Sequence, residues 1–171
     1  MKWILCVLLV GGAAAAGWMK ARHFENRVAH LRDLQKALRA LEAEMKYRRA
    51  PMPELFARLG EQTEGLAAVF FTGVGSRLKE GAQFDFSGLW TAQAEGAYEG
   101  SSLKEEDLRI LRDMGMELGK TDIDNQEGLF REAFYRLGEA EKEAAEEKRT
   151  KGRMYKGLGV AAGAAAVVML L

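Results

Sequence analysis

The sequence predicts an all-α protein: an antiparallel bundle of about six helices between an amino-terminal and a carboxy-terminal transmembrane helix. Three observations predict it. Apolar residues recur at steps of three and four through most of the chain, and no stretch alternates apolar and polar residues between turn signals as a strand would. Only two prolines occur, Pro51 and Pro53, so helices can run long on either side of them. Each end of the chain is free of charge over a long run.

The first of these runs, Trp3 to Met19, reads WILCVLLVGGAAAAGWM. As a helix it extends about 25 Å at roughly 1.5 Å per residue, slightly short of a ~30 Å hydrocarbon core. Lys2, the apolar run and Ala13 to Ala16 also match a secretory signal with a small-residue cleavage site. A retained anchor is the favoured reading. Trp18 and Met19 carry the apolar run past the alanines, and a helical pattern follows without a loop. Cys6 is the only cysteine, so the chain forms no internal disulfide, and it suits a small apolar position in lipid.

From Phe24 a stripe of Val28, Leu31, Leu34, Leu38, Leu41 and Met45 marks a long amphipathic helix that ends at Ala50-Pro-Met-Pro53. Pro53 can open the second helix, which carries Leu55, Phe56 and Leu59 and closes at Gly60. A third helix presents Leu66, Val69, Phe70, Val74 and Leu78, with Gly73 and Gly75 weakening it. A fourth begins near Asp85 or Ser87 and shows Phe86, Leu89, Trp90 and Tyr98. Ser102 to Glu105 has capping-box spacing and opens a fifth, with Leu108, Leu111, Met114 or Gly115, and Leu118 on one stripe. Gly119 fits the left-handed residue past its end, and Thr121 or Asp122 caps a sixth bearing Leu129, Phe130, Ala133, Phe134 and Leu137. The acidic run Glu139 to Glu147 reads as a solvated helical face.

The second charge-free run, Gly157 to Leu171, is about 22 Å long on the same rise, and Lys156 and Tyr155 extend it by snorkelling and interfacial anchoring. Gly159 and Gly163 stand four apart within it, a spacing that suits packing between membrane helices. Lys20, Arg22 and Arg27 follow the first run, and Lys148, Arg149, Lys151, Arg153 and Lys156 precede the second. Both inner flanks are basic, so the central region is expected in the cytoplasm. The division is therefore residues 1–20 as one membrane helix, 21–156 as a cytoplasmic helical domain and 157–171 as the other membrane helix.

Lysine plus arginine and aspartate plus glutamate number 25 each, a balance that gives no general attraction to nucleic acid or to anionic membrane. The motifs for chemistry are thin. Gly119-Lys120-Thr121 resembles the end of a phosphate loop, and a nucleotide-binding regulator is the alternative it supports. The preceding glycine is Gly115, with three residues between it and Gly119 rather than four, and the segment before it is helical rather than a strand. Asp122 and Asp124 match the first and third positions of a calcium loop. Glu127 then stands where glycine is needed, and Ala133 where a bidentate glutamate is needed. His23 and His30, seven apart, have no carboxylate pattern for a metal and read as exposed helix residues. No catalytic residues, cofactor or metal are expected.

Two blocks carry a family resemblance. Leu34 to Phe56, LQKALRALEAEMKYRRAPMPELF, resembles the signature region of the stage III sporulation protein AB family. Leu118 to Gln126, LGKTDIDNQ, resembles that family's turn between its last two helices. Membrane segments at both ends match as well, so the resemblance spans essentially the whole chain. Family members more often have leucine where Met52 separates the prolines; methionine fills a similar apolar volume. The family is similar to the cytoplasmic domain of type II secretion F proteins. The resemblance implies a non-enzymatic platform in the mother-cell membrane facing the forespore, within a channel complex. It implies a secretion-type ATPase, stage III sporulation protein AA, as partner, and leaves homo-oligomerisation open. Within the two blocks the helix ends are the best-fixed places for partner contacts. The candidates are Glu42, Glu44 and Tyr47 in one block and Asp122 and Gln126 in the other, with Pro51, Pro53 and Gly119 shaping the turns. A secreted helical protein with a cleaved signal is the remaining alternative.

Overall fold

The chain runs through seven α-helices and one π-helical turn in the computed structural model, which describes residues 2–47, 50–81, 85–118 and 123–170. They are α1 (Lys2–Tyr47), α2 (Met52–Gln62), α3 (Gly65–Lys79), α4 (Phe86–Tyr98), α5 (Glu105–Leu118), α6 (Ile123–Glu147), a π turn (Lys148–Gly152) and α7 (Arg153–Leu170). No strand occurs among the described residues. The apolar run at the amino end and the amphipathic stripe after it form one helix, α1, as the lack of any breaker between them requires. Among the described residues no helix is long and apolar enough to cross a membrane. The apolar cores of the two expected transmembrane runs, residues 3–10 and 166–170, lie outside the described side chains.

The chain divides into two units. The first comprises Met1–Ala29 and Lys142–Leu171, and the second His30–Glu141. In the second unit, Leu31, Leu34, Leu38 and Leu41 of α1 are all essentially inaccessible, as the spacing of the stripe predicts. The centre is aromatic. Phe56, Phe70, Phe71, Phe86 and Trp90, from α2, α3 and α4, meet with ring centroids 4.8 to 6.1 Å apart. The Trp90 indole N–H donates to the Leu111 carbonyl oxygen at 2.7 Å, so the buried ring satisfies its polar atom on α5. Gly115, one turn on, leaves room for that ring; a side chain there would collide with the indole.

Several local expectations are corrected. Gly60 does not close α2. It lies inside the helix, where a Cβ would stand 3.1 Å from the Thr72 amide nitrogen, so the glycine serves the close approach of α2 and α3. The helix stops at Thr63, whose hydroxyl donates to the Leu59 carbonyl at 2.7 Å. Met52 rather than Pro53 is the first residue of α2. Gly73 and Gly75 do not interrupt α3, and Gly75 lets the Ala57 amide nitrogen approach to 2.9 Å of where a Cβ would sit. Val69 is 60% exposed; the buried stripe of α3 is Ala67, Phe70, Phe71 and Val74. The capping box sits two residues later than Ser102 to Glu105. The Lys104 amide donates to the Asp107 carboxylate at 2.9 Å, half of the reciprocal motif, because lysine at the cap has no acceptor to return. Gly119, Thr121 and Asp122, expected between α5 and α6, lie outside the described residues.

In the first unit α1 and α7 pack in antiparallel register. A Cβ on Gly17 would stand 3.2 Å from the Gly159 Cα and 2.6 Å from the Tyr155 carbonyl oxygen. Gly159 thus makes a close contact within the chain, while the surroundings of Gly163 lie outside what is described. Phe24 stacks on Tyr155 at 6.0 Å. Arg27 is buried and donates to Glu147 at 2.9 Å, with Glu143 at 3.6 Å. The acidic run is therefore not a uniformly solvated face: Ala144 is buried, and Glu147 also receives Lys151 at 2.6 Å.

Candidate functional site

The carboxyl end of α1 and the amino end of α6 meet in the second unit. Lys46, in the last turn of α1, donates from its ammonium to the Glu127 carboxylate at 2.6 Å. That bond raises the Lys46 pKa above its ordinary value, with the charge of Glu127 adding to it, and it lowers that of Glu127. Tyr47 follows Lys46 and is 79% exposed, and Gln126 precedes Glu127 and is half-buried. The first sequence block therefore meets the residue that directly follows the second. Asp122 and Gly119 lie outside the described residues.

The other candidates divide. Glu42 is half-buried on α1. Glu44 is not on an open face: its side chain is 12% exposed, and Arg58 of α2 approaches its carboxylate at 3.6 Å. Glu44 therefore ties α1 to α2, and a charge reversal there would act on the fold as well as on any partner. Pro51, at φ −56° and ψ 142°, holds the chain extended before α2, and Pro53 stands at the second helical position where no amide donor is needed. Both prolines therefore stand at the start of α2.

Sequence reading missed Lys46, Glu127 and Arg58, whose pairings exist only once the helices are packed. It also misjudged His30, which is half-buried and whose Nδ1 accepts the Ser102 amide at 3.4 Å. No local pattern signals either arrangement. His23 is exposed. Among the described residues, no three histidine, cysteine, aspartate or glutamate side chains gather as a metal site. Gly119-Lys120-Thr121 lies outside the described residues; the segment leading into it is α5, a helix rather than a strand.

Comparison with known proteins gives a consistent result. The family model described as stage III sporulation protein AB matches residues 2–171. A curated relative, stage III sporulation protein AB of Bacillus subtilis (strain 168), is 24% identical over 171 residues, covering 100% of this chain and 99% of its own length. A solved structure titled stage III sporulation protein AB is similar in fold, with a TM-score of 0.65 and 24% identity, over 72% of this chain and 96% of that one.

Proposed function

The chain belongs to the stage III sporulation protein AB family, a family of sporulation proteins, and from that premise we propose that it is a non-enzymatic platform of a sporulation channel complex. Its terminal apolar runs anchor it in the mother-cell membrane facing the forespore. Its helical domain, in the cytoplasm, docks the secretion-type ATPase named above. The charge-free ends and their basic inner flanks support the anchoring. The observation that carries docking is the corner where Tyr47 and Gln126 stand beside the Lys46–Glu127 pair. It offers an exposed aromatic ring, a side-chain amide and both signs of charge on a surface held by two helix ends. Tyrosine supplies large contact area at small conformational cost, which suits a partner surface.

The test is affinity purification of the full chain from sporulating cells, with the co-purifying ATPase identified. Tyr47→Ala should leave the thermal transition unchanged, remove the ATPase from the eluate and block spore formation. A folded Tyr47→Ala protein that still carries the ATPase and supports sporulation would remove this corner from the docking surface.

A further inference from the structure

The first unit carries a pocket that the platform reading does not use. It lies at the π turn, has a volume of about 430 Å³ and is lined by Glu25, Ala145, Lys148, Arg149, Gly152 and Arg153. In an α-helix, positions five apart point about 140° away from each other. The i→i+5 bonding of a π turn widens the helix and brings such positions, here Lys148 and Arg153, toward one side. Gly152 is buried, yet a Cβ built on it meets nothing within 4 Å, so it faces open space. Arg149 is paired with Glu146 at 2.9 Å, whereas Lys148 and Arg153 have no ion-pair partner among the described residues. Glu25 carries the opposing charge at the pocket and is itself engaged in an interaction.

The surroundings indicate which anion fits. Trp18, Met19, Met154 and Leu158 are each at least 50% exposed on the same unit. The register set by Gly17 against Gly159 and Phe24 against Tyr155 puts Trp18 near Leu158 in level, with Arg22 toward the π turn. Arg22 lies over the Trp18 ring at 3.8 Å, an aromatic and a cation stacked as they are at a lipid–water boundary. Trp18, Met19 and Leu158 therefore lie at one level and the free cations at the next. We propose that the pocket formed by Lys148, Arg149, Gly152 and Arg153 holds the phosphate of an anionic phospholipid headgroup.

The site depends on the membrane anchoring proposed above, and the experiment separates the two. The full chain is reconstituted into vesicles of phosphatidylcholine alone and of phosphatidylcholine mixed with phosphatidylglycerol, floated, and re-extracted in detergent. The lipid retained on the protein is then measured. Flotation with both vesicles and enrichment of phosphatidylglycerol on the re-extracted chain are expected. Each unpaired cation near the surface contributes roughly fivefold, so Lys148→Gln with Arg153→Gln should cut the enrichment about 30-fold. Gly152→Leu should fill the pocket and abolish enrichment without lowering the thermal transition. Inorganic phosphate should not displace the lipid; displacement would assign free phosphate as the ligand and overturn the headgroup site. A chain that floats with both vesicles without enrichment also overturns the headgroup site and leaves anchoring intact. A chain that floats with neither overturns both.

Discussion

The Lys46 ammonium and the Glu127 carboxylate stand 2.6 Å apart across 81 residues of sequence, and their bond joins the end of α1 to the beginning of α6. Both side chains are more than half exposed, so solvent screens the pair and little stability is at stake. Position is what the bond supplies. If it fixes Tyr47 and Gln126 for a partner, Lys46→Glu and Glu127→Lys should each weaken capture of the ATPase from sporulating cells while leaving the denaturation midpoint nearly unchanged. The double exchange restores the pair with reversed polarity and should recover capture. Equal capture by all three variants would show that the pair does not position the surface.

Gly115 and Gly128 lie in neighbouring helices of the second unit and make a controlled comparison. A Cβ on Gly115 would strike the buried Trp90 indole, whose bond to Leu111 fixes the ring in place. Overpacking of that kind costs about 1–3 kcal/mol, more than the gain of about 1 kcal/mol that alanine brings to a helix interior. A Cβ on Gly128 meets nothing within 4 Å. Gly115→Ala should therefore lower the urea midpoint and Gly128→Ala should raise it. A stabilised Gly115→Ala protein would mean that the indole can move aside.

The helices were legible because their stripes are long and their spacing regular. The stripe from Val28 to Leu41 and the capping of α5 by an acidic residue both follow from local chemistry, although the cap moved from Ser102 to Lys104. Glycine misled the reading of α2 and α3. Gly60 and Gly75 look like breaks in sequence, but both mark places where two helices come close, and this depends on a partner helix that local spacing does not reveal. The candidate corner was half legible for the same reason. Tyr47, Pro51 and Gln126 lie within the recognised blocks, whereas the Lys46–Glu127 bond and the Arg58 contact to Glu44 exist only once the helices are packed.

Acid should expose another inter-helix tie in this unit. The Arg32 guanidinium donates to the Glu141 carboxylate at 2.6 Å and the Gln35 amide donates to it at 2.9 Å. The bond from Arg32 is the main cause that holds Glu141 below the usual carboxylate range; partial burial opposes it and Gln35 adds to it. A carboxylate with a depressed folded pKa binds fewer protons folded than unfolded. Its contribution is therefore fully present above the unfolded value of about 4.3 and is lost as the pH falls through the folded value. Urea midpoints measured from neutral to acid pH should fall more gently in Arg32→Ala than in the parent chain. Parallel pH profiles would show that this pair does not contribute to acid sensitivity.

Tyr98 should behave in the opposite sense, at the alkaline end. Its side chain is packed against Phe70 at 6.4 Å, and its hydroxyl is buried with no hydrogen-bond partner among the described residues. Burial is the main cause that raises its pKa above the ordinary phenol value, and the carboxylate of Asp33 adds to it. The folded chain therefore keeps a proton that the unfolded chain releases near pH 10. Since the folded state then binds more protons, stability falls as the pH rises above that value. Tyr98→Phe keeps the ring and removes the unpaired hydroxyl, whose burial costs about 1–3 kcal/mol when unsatisfied. The variant should be at least as stable as the parent at neutral pH, and its margin over the parent should widen as the pH passes 10. A loss of stability at neutral pH would show that the hydroxyl has a partner, most simply an ordered water, and a constant margin would show that it does not titrate with unfolding.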